Sequence, residues 1–212
     1  AFPSAMFYDG LLVSPAPLRL ERPIPRLLGN LTTCTETSSS VRLVHVGGGS
    51  NERQGSSIPV GPSDSQGSTS FWNEEAAAQV VSLVKELVFS NDPLVRSIGV
   101  ISPYSAQVQL IKSKLASDVS LRDGLRNAQV SIEVKSVDGY QGRERDVIIF
   151  SAVRSNKRNS IGFLQDTRRM NVALTRARSG VLVIGDFDTL SAGNFYWDAL
   201  RTWAIDSGCM IG

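Results

Sequence analysis

Two segments hold the residue types that do phosphate chemistry: Ser136-Val-Asp-Gly-Tyr-Gln-Gly-Arg-Glu144 and Asp166-Thr-Arg-Arg-Met-Asn-Val-Ala-Leu-Thr-Arg-Ala-Arg178. Each abuts an apolar run. Arg168, Arg169, Arg176 and Arg178 carry permanent charges whose planar forks match phosphate oxygens, and one helix over 167–177 would bring them near a single surface. Such a set suits a polyanion, either nucleotide phosphates or a nucleic-acid backbone. One charged cluster is readily a solvated face; two linked ones are harder to explain that way. Lys135 to Arg178 holds ten Lys or Arg against four Asp or Glu, a surplus of six, while the rest of the chain sums to −4 and the whole to +2. The protein carries a basic patch without being a basic protein.

These segments need a scaffold, and 212 residues with 42% hydrophobic and 20% charged content supply one ordinary core. One domain over 1–212 is expected. Residues 1–40 contain five of the nine prolines and no sustained period, so an extended lead-in is predicted there. Val41 to Val46 alternates and is β-branched, which predicts a strand, and residues 47–70, rich in Gly, Ser and Pro, predict a flexible loop. Gly47-Gly-Gly leads into low complexity and not into a helix, so a phosphate-binding loop there is disfavoured. Asn73 can cap a helix whose apolar positions Ala76, Ala77, Val80, Val81, Val84, Leu87 and Val88 follow a 3.6-residue period. Strands follow at 97–101, 130–134, 147–153 and 181–185, and helices at 106–115, 167–177 and around Phe195, Trp197, Leu200 and Trp203. The alternation predicts an α/β fold: a doubly wound, mostly parallel sheet with helices on both faces and ligands at the strand ends.

Other classes find no support. Cys34 and Cys209 lie too far apart for metal-ligand spacing and suggest no disulfide framework. His45 falls in a strand, as a packed or edge residue more readily than a base, and no metal site is expected from side chains. No apolar run approaches the roughly 18 residues that span a bilayer. The start Ala-Phe-Pro-Ser lacks both an initiator Met and a signal-peptide layout, which reads as a piece of a longer protein.

Ile101-Ser-Pro-Tyr-Ser-Ala-Gln107, the Ser136–Glu144 segment and Arg168 to Arg178 resemble motifs IV, V and VI of superfamily 1B helicases, nearest the up-frameshift and senataxin-like branch. Phe2-Pro-Ser, Phe7-Tyr8, Gly10-Leu11, Ser151 to Asn156 and Gly162-Phe-Leu164 look like that family's second, C-terminal RecA-like domain. The resemblance covers most of the chain outside 12–70. It implies an ATP site in a cleft between two RecA-like domains, with the second supplying an arginine finger. Arg176 matches that finger. Arg178 is either a phosphate contact or a structural partner. Gly142 and Glu144 match positions that approach the nucleotide, although Glu144 has the alternative of pairing with Arg143 or Arg145. Gln141 either couples the two ligand sites or braces its loop, and Gln107 is the motif IV glutamine on the nucleotide side.

Nucleic acid in this family crosses both domains, which implies contacts from Ser136 and Asp138 in motif V and from Pro103 and Tyr104 in motif IV. Tyr104 either stacks on a base or packs on the sheet. Arg154 and Asn156, at a strand end, are further candidates for that track. Arg168, Arg169 and Asn171 have a structural alternative, holding their own helix in register. Two departures stand out: Val108 occupies a place where some relatives carry a second phosphate-facing arginine, and Asn73 is followed by Glu74, Glu75 and Ala76, not by Glu three residues on.

No Gly-x-x-x-x-Gly-Lys-Ser/Thr stretch occurs in the 212 residues. ATP and Mg²⁺ are therefore expected as ligands completed by a first RecA-like domain, and this chain alone should hydrolyse ATP poorly. The resemblance implies an ATP-dependent RNA or DNA helicase moving 5′ to 3′ on single strands. It also implies single-stranded RNA or DNA, the first domain and protein regulators as partners, no membrane, and residence in the nucleus or cytoplasm. The alternative is a helicase-like binding or docking module without ATP turnover.

Overall fold

The structure, a computed structural model, describes residues 40–48, 51–55, 70–140 and 142–212. The expected lead-in, most of the 47–70 loop and Gln141 lie outside these. The β-branched run becomes strand β1 (Val41–His45). Strands β2 (Glu52–Gln54) and β3 (Phe71–Asn73) then pair antiparallel, Glu52 opposite Asn73. The expected loop thus contains a strand, one that polar Glu-Arg-Gln does not announce.

Helix α1 (Glu74–Phe89) starts where Asn73 Oδ1 accepts the Ala76 amide at 3.0 Å, a cap worth about 1 kcal/mol. Its buried face is Ala76, Ala77, Val80, Leu83, Val84, Leu87 and Val88, with Leu83 in the place expected of Val81. Strand β4 (Ser97–Ser102) leads through Pro103 into α2 (Ser105–Ser117) and α3 (Val119–Ala128). Strand β5 (Ser131–Ser136), a 3₁₀ turn at Asp138–Tyr140 and β6 (Arg145–Ser151) follow. A second 3₁₀ turn (Gly162–Gln165) precedes α4 (Thr167–Leu174), β7 (Ala177–Gly185), α5 (Phe187–Gly193), α6 (Phe195–Asp206) and β8 (Met210–Ile211).

The expected helix 167–177 is corrected. It ends at Leu174, and the chain is extended again from Ala177 because that segment pairs with β6, Arg145 opposite Ala177. Arg168 and Arg169 are helical, Arg176 lies in the turn and Arg178 in a strand, so the four arginines do not share one helix.

Six strands form one parallel sheet in the order β5-β4-β6-β7-β1-β8. Alternation sorts the core by face. Val44, Ile98, Val100, Val147, Ile149, Leu182 and Ile184 look toward α1, α2 and α3. Leu43, Ile101, Ile148, Phe150, Val181 and Val183 look toward α4, α5 and α6 and the turn holding Tyr140. Helices cover both faces, as in the expected RecA-like α/β arrangement. Among the described residues no helix is long and apolar enough to cross a membrane.

Candidate functional site

Because the strands are parallel, the segment from Ser136 at the carboxyl end of β5 to Arg145 at the amino end of β6 crosses the sheet face from one edge to the other. The segment through α4 makes the same traverse, from Asp166 to Arg176. Both motifs thus present one end to each edge, and their residues separate into two sites.

At the amino edge the two segments are stitched together by the Arg145 amide donating to the Arg176 carbonyl at 3.1 Å. The Arg176 guanidinium donates from Nε to the Val172 carbonyl and from a terminal nitrogen to Thr175 Oγ1, both at 3.2 Å. Among the described residues no carboxylate pairs with it. Glu144 accepts from Arg178 Nε at 3.2 Å, with both side chains about half exposed. Arg143 and Arg145 turn away to Glu133, which Lys135 also meets at 2.7 Å. Hydrogen bonding from Lys135, then the charges of Arg143 and Arg145, hold the Glu133 carboxyl below its usual range. Glu144 is therefore not satisfied by its chain neighbours, the alternative raised for it.

Gly142 has φ +72°, and among the described residues nothing lies within 4 Å of where a Cβ would stand, which leaves the backbone open beside Glu144 and Arg178. Exposed guanidinium groups and an open glycine backbone suit an anionic ligand such as a nucleotide's phosphates. Tyr140 anchors the segment. It is fully buried, and a Cβ on Gly99 of β4 would overlap its hydroxyl, so the glycine makes room for it. That hydroxyl has no partner among the described residues, and burial pushes it up to about 12.

At the carboxyl edge Ser102 and Ser136 end their strands side by side, which puts Pro103 next to Ser136. Ser136 Oγ accepts the Gly139 amide at 3.3 Å, and exposed Asp138 lies 3.8 Å from Arg169. These three expected nucleic-acid residues are brought together at the surface. Two others are not. Tyr104 is 2% exposed, its hydroxyl donating to the Ile161 carbonyl at 3.3 Å and its ring set edge-on to Phe71, so it packs on the sheet and is unavailable to a base. Arg154 is 5% exposed and donates to Glu52 from Nε at 2.8 Å and Nη2 at 3.1 Å, with its guanidinium 4.1 Å from the Phe71 ring centroid.

The backbone directs Arg154 inward. Its amide donates to the Ala152 carbonyl at 2.8 Å across Val153, whose φ is +73°, the strained form of γ-turn. Asn73 Nδ2 secures that turn at the Val153 carbonyl, 3.2 Å away. Asn156 Nδ2 donates to Glu52 at 3.0 Å and to the Ser160 carbonyl at 2.8 Å, and Asn156 Oδ1 accepts the Arg158 and Ser160 amides, which makes this side chain a loop brace. The largely buried carboxylate that the sequence did not reveal is Glu52, whose partner Arg154 is 102 residues away.

Gln107 belongs to neither surface. It is fully buried, exchanging hydrogen bonds with the Asn73 backbone at 2.9 and 3.2 Å and donating to Ser151 Oγ at 3.1 Å. Its expected place beside the nucleotide gives way to a buried tie between α2, β3 and β6. Val108 is 8% exposed in the first turn of α2, at the sheet end opposite Arg176, and packs in the core. His45, Asp186 and Asp188 lie close enough to share a cation. Their donors are already engaged: Asp186 accepts from Ser155, Thr189 and the Asp188 amide, His45 Nδ1 accepts the Phe187 amide, and Asp188 pairs with Arg201. The group serves as the amino-terminal cap of α5.

Comparison with known proteins adds the family. A family model described as an AAA domain matches residues 1–188. The chain is 36% identical over 219 residues to the DNA polymerase alpha-associated DNA helicase A of Saccharomyces cerevisiae, covering 97% of this chain and 28% of that protein. It is 44% identical over 143 residues to the regulator of nonsense transcripts 1 homolog of Arabidopsis thaliana, covering 68% and 11%. Helicase sen1 of Schizosaccharomyces pombe is 39% identical over 144 residues, covering 65% and 8%. The chain therefore spans between 8% and 28% of the length of these relatives. With motif residues, parallel sheet and relatives in agreement, the chain belongs to the superfamily 1 helicases of the up-frameshift and senataxin branch.

Proposed function

We propose that this chain is the second, C-terminal RecA-like domain of an ATP-dependent helicase, closing on a first domain to hydrolyse ATP while gripping single-stranded RNA or DNA. The observation that carries the reading is the placement of Arg176: at the amino edge of the sheet, held by a carbonyl and a hydroxyl, and paired with no carboxylate among the described residues. An arginine so held keeps its charge for an incoming phosphate.

Arg176 would meet charge developing on the transferring γ-phosphoryl group, the part an arginine finger plays in phosphoryl transfer. Glu144 and Arg178 exchange their exposed pair for the nucleotide, Glu144 toward ribose or metal-bound water and Arg178 toward phosphate. Gly142 keeps the backbone open for that approach. Mg²⁺, held by the first domain, neutralises phosphate charge when bound. Pro103, Ser136 and Asp138 at the opposite edge hold the strand, so the segments that traverse the face join chemistry to grip. Alternating closure then moves the strand 5′ to 3′. Single-stranded RNA or DNA, the first RecA-like domain and protein regulators are the partners this reading supplies, in nucleus or cytoplasm.

The test is ATP hydrolysis by the intact parent protein with and without single-stranded oligonucleotide. Turnover that rises with the strand supports the motor. Strand binding without turnover would replace it with a nucleic-acid-binding module.

A further inference from the structure

Five side chains form a ladder from the interior to the carboxyl edge. The Arg154 guanidinium lies over the Phe71 ring at 4.1 Å, and Phe71 meets Tyr104 edge-on at 5.6 Å. Tyr104 contacts Phe163 at 5.9 Å, and Arg169 lies over Phe163 at 5.1 Å. The inner members are buried or half-buried, whereas Phe163 is 58% exposed. A large aromatic left this open costs hydration free energy, and here it is built in. Gly162 presents it with φ +54°, and a Cβ there would overlap the Arg154 guanidinium, so the turn fits only a glycine.

The surroundings point to an occupant. Arg169 reaches from Phe163 to Asp138, 3.8 Å away, and Asp138 lies two residues past Ser136, which ends its strand beside Ser102. Lys157, Arg158 and Arg168 are exposed on the adjoining segments against the acidic Asp138 and Asp166, which leaves the patch positive. An exposed ring backed by a guanidinium within a positive patch is the combination that receives unpaired bases along a phosphate backbone.

We propose that Phe163, braced by Arg169 and Tyr104, stacks on a base of single-stranded nucleic acid, the part that sequence offered to the buried Tyr104. This rests on the strand-binding part of the proposed function. Stacking tolerates any base, so the site grips without reading sequence, as a moving protein needs.

The experiment measures binding of the intact parent protein to a fluorescent single-stranded oligonucleotide and to an abasic strand of equal length, over a salt series. Phe163→Ala should weaken binding to the normal strand about tenfold, bind the abasic strand like the wild type, and keep the wild-type salt slope, because no phosphate contact is removed. Phe163→Trp should restore affinity. Arg169→Ala should weaken binding and lower the slope by up to about one. Equal loss on both strands, or no loss on either, would overturn stacking, the latter leaving Phe163 as a protein contact. A wild type that binds no strand would instead fail the strand-binding reading itself.

Discussion

The Arg145 amide donates to the Arg176 carbonyl at 3.1 Å, joining the exit of one phosphate-type segment to the exit of the other. The position of the candidate finger is therefore fixed by the neighbouring strand as well as by its own helix. What anchors Arg145, namely Glu133 on the far side of β4, becomes part of the finger's support. Glu133→Ala should reduce turnover in the intact protein while nucleotide affinity changes little. Steady-state kcat and KM would check this, and a rise in KM alone would count against it.

Glu144 and Arg178 form an exposed pair, and such pairs contribute about 0–1 kcal/mol. Glu144→Ala should leave thermal stability near the wild type yet raise the KM for ATP several-fold. A large loss of stability would make the pair structural.

The Arg154–Glu52 pair is the opposite case, with side chains 6% and 12% exposed. Arg154→Ala leaves a carboxylate stranded in the interior and should cost about 3–5 kcal/mol in urea unfolding. A change below about 1 kcal/mol would contradict the clamp.

Tyr140 gives a pH dependence. Burial raises its folded value to about 12 from an ordinary 10, so the folded state holds its proton more tightly than the unfolded chain. That contribution is full below pH 10 and is lost as pH rises from about 10 to 12. Tyr140→Phe should remove this part of the alkaline decline, and at neutral pH should be neutral or slightly stabilising because the hydroxyl lacks a partner. Parallel curves for the two proteins would refute the assignment.

What the sequence made legible was whatever local pattern dictates. Asn73 and the 3.6-residue spacing after it announced α1, and the runs at 97–101, 147–153 and 181–185 announced buried strands whose bounds shifted by a few residues. Pro103, Ser136 and Asp138 gather at one edge, with Arg176, Gly142 and Glu144 at the other. The illegible parts depend on distant partners. Glu52 looks like a loop charge until Arg154 arrives, and Gln107 looks ligand-facing until Asn73 and Ser151 enclose it. No Gly or Pro marks the end of α4 after Leu174; pairing with β6 ends it. Tyr104 and Phe163 have similar local sequence signals, and only the fold shows which is inside.

The most direct test is strand-stimulated ATP hydrolysis by the intact parent protein beside its Arg176→Ala form, with thermal unfolding of both. Arg176 makes two hydrogen bonds and is only half-buried, so the variant should fold normally and lose about 10³-fold or more in kcat. A folded variant that turns over ATP near the wild-type rate would contradict the finger, and with it the account of this edge.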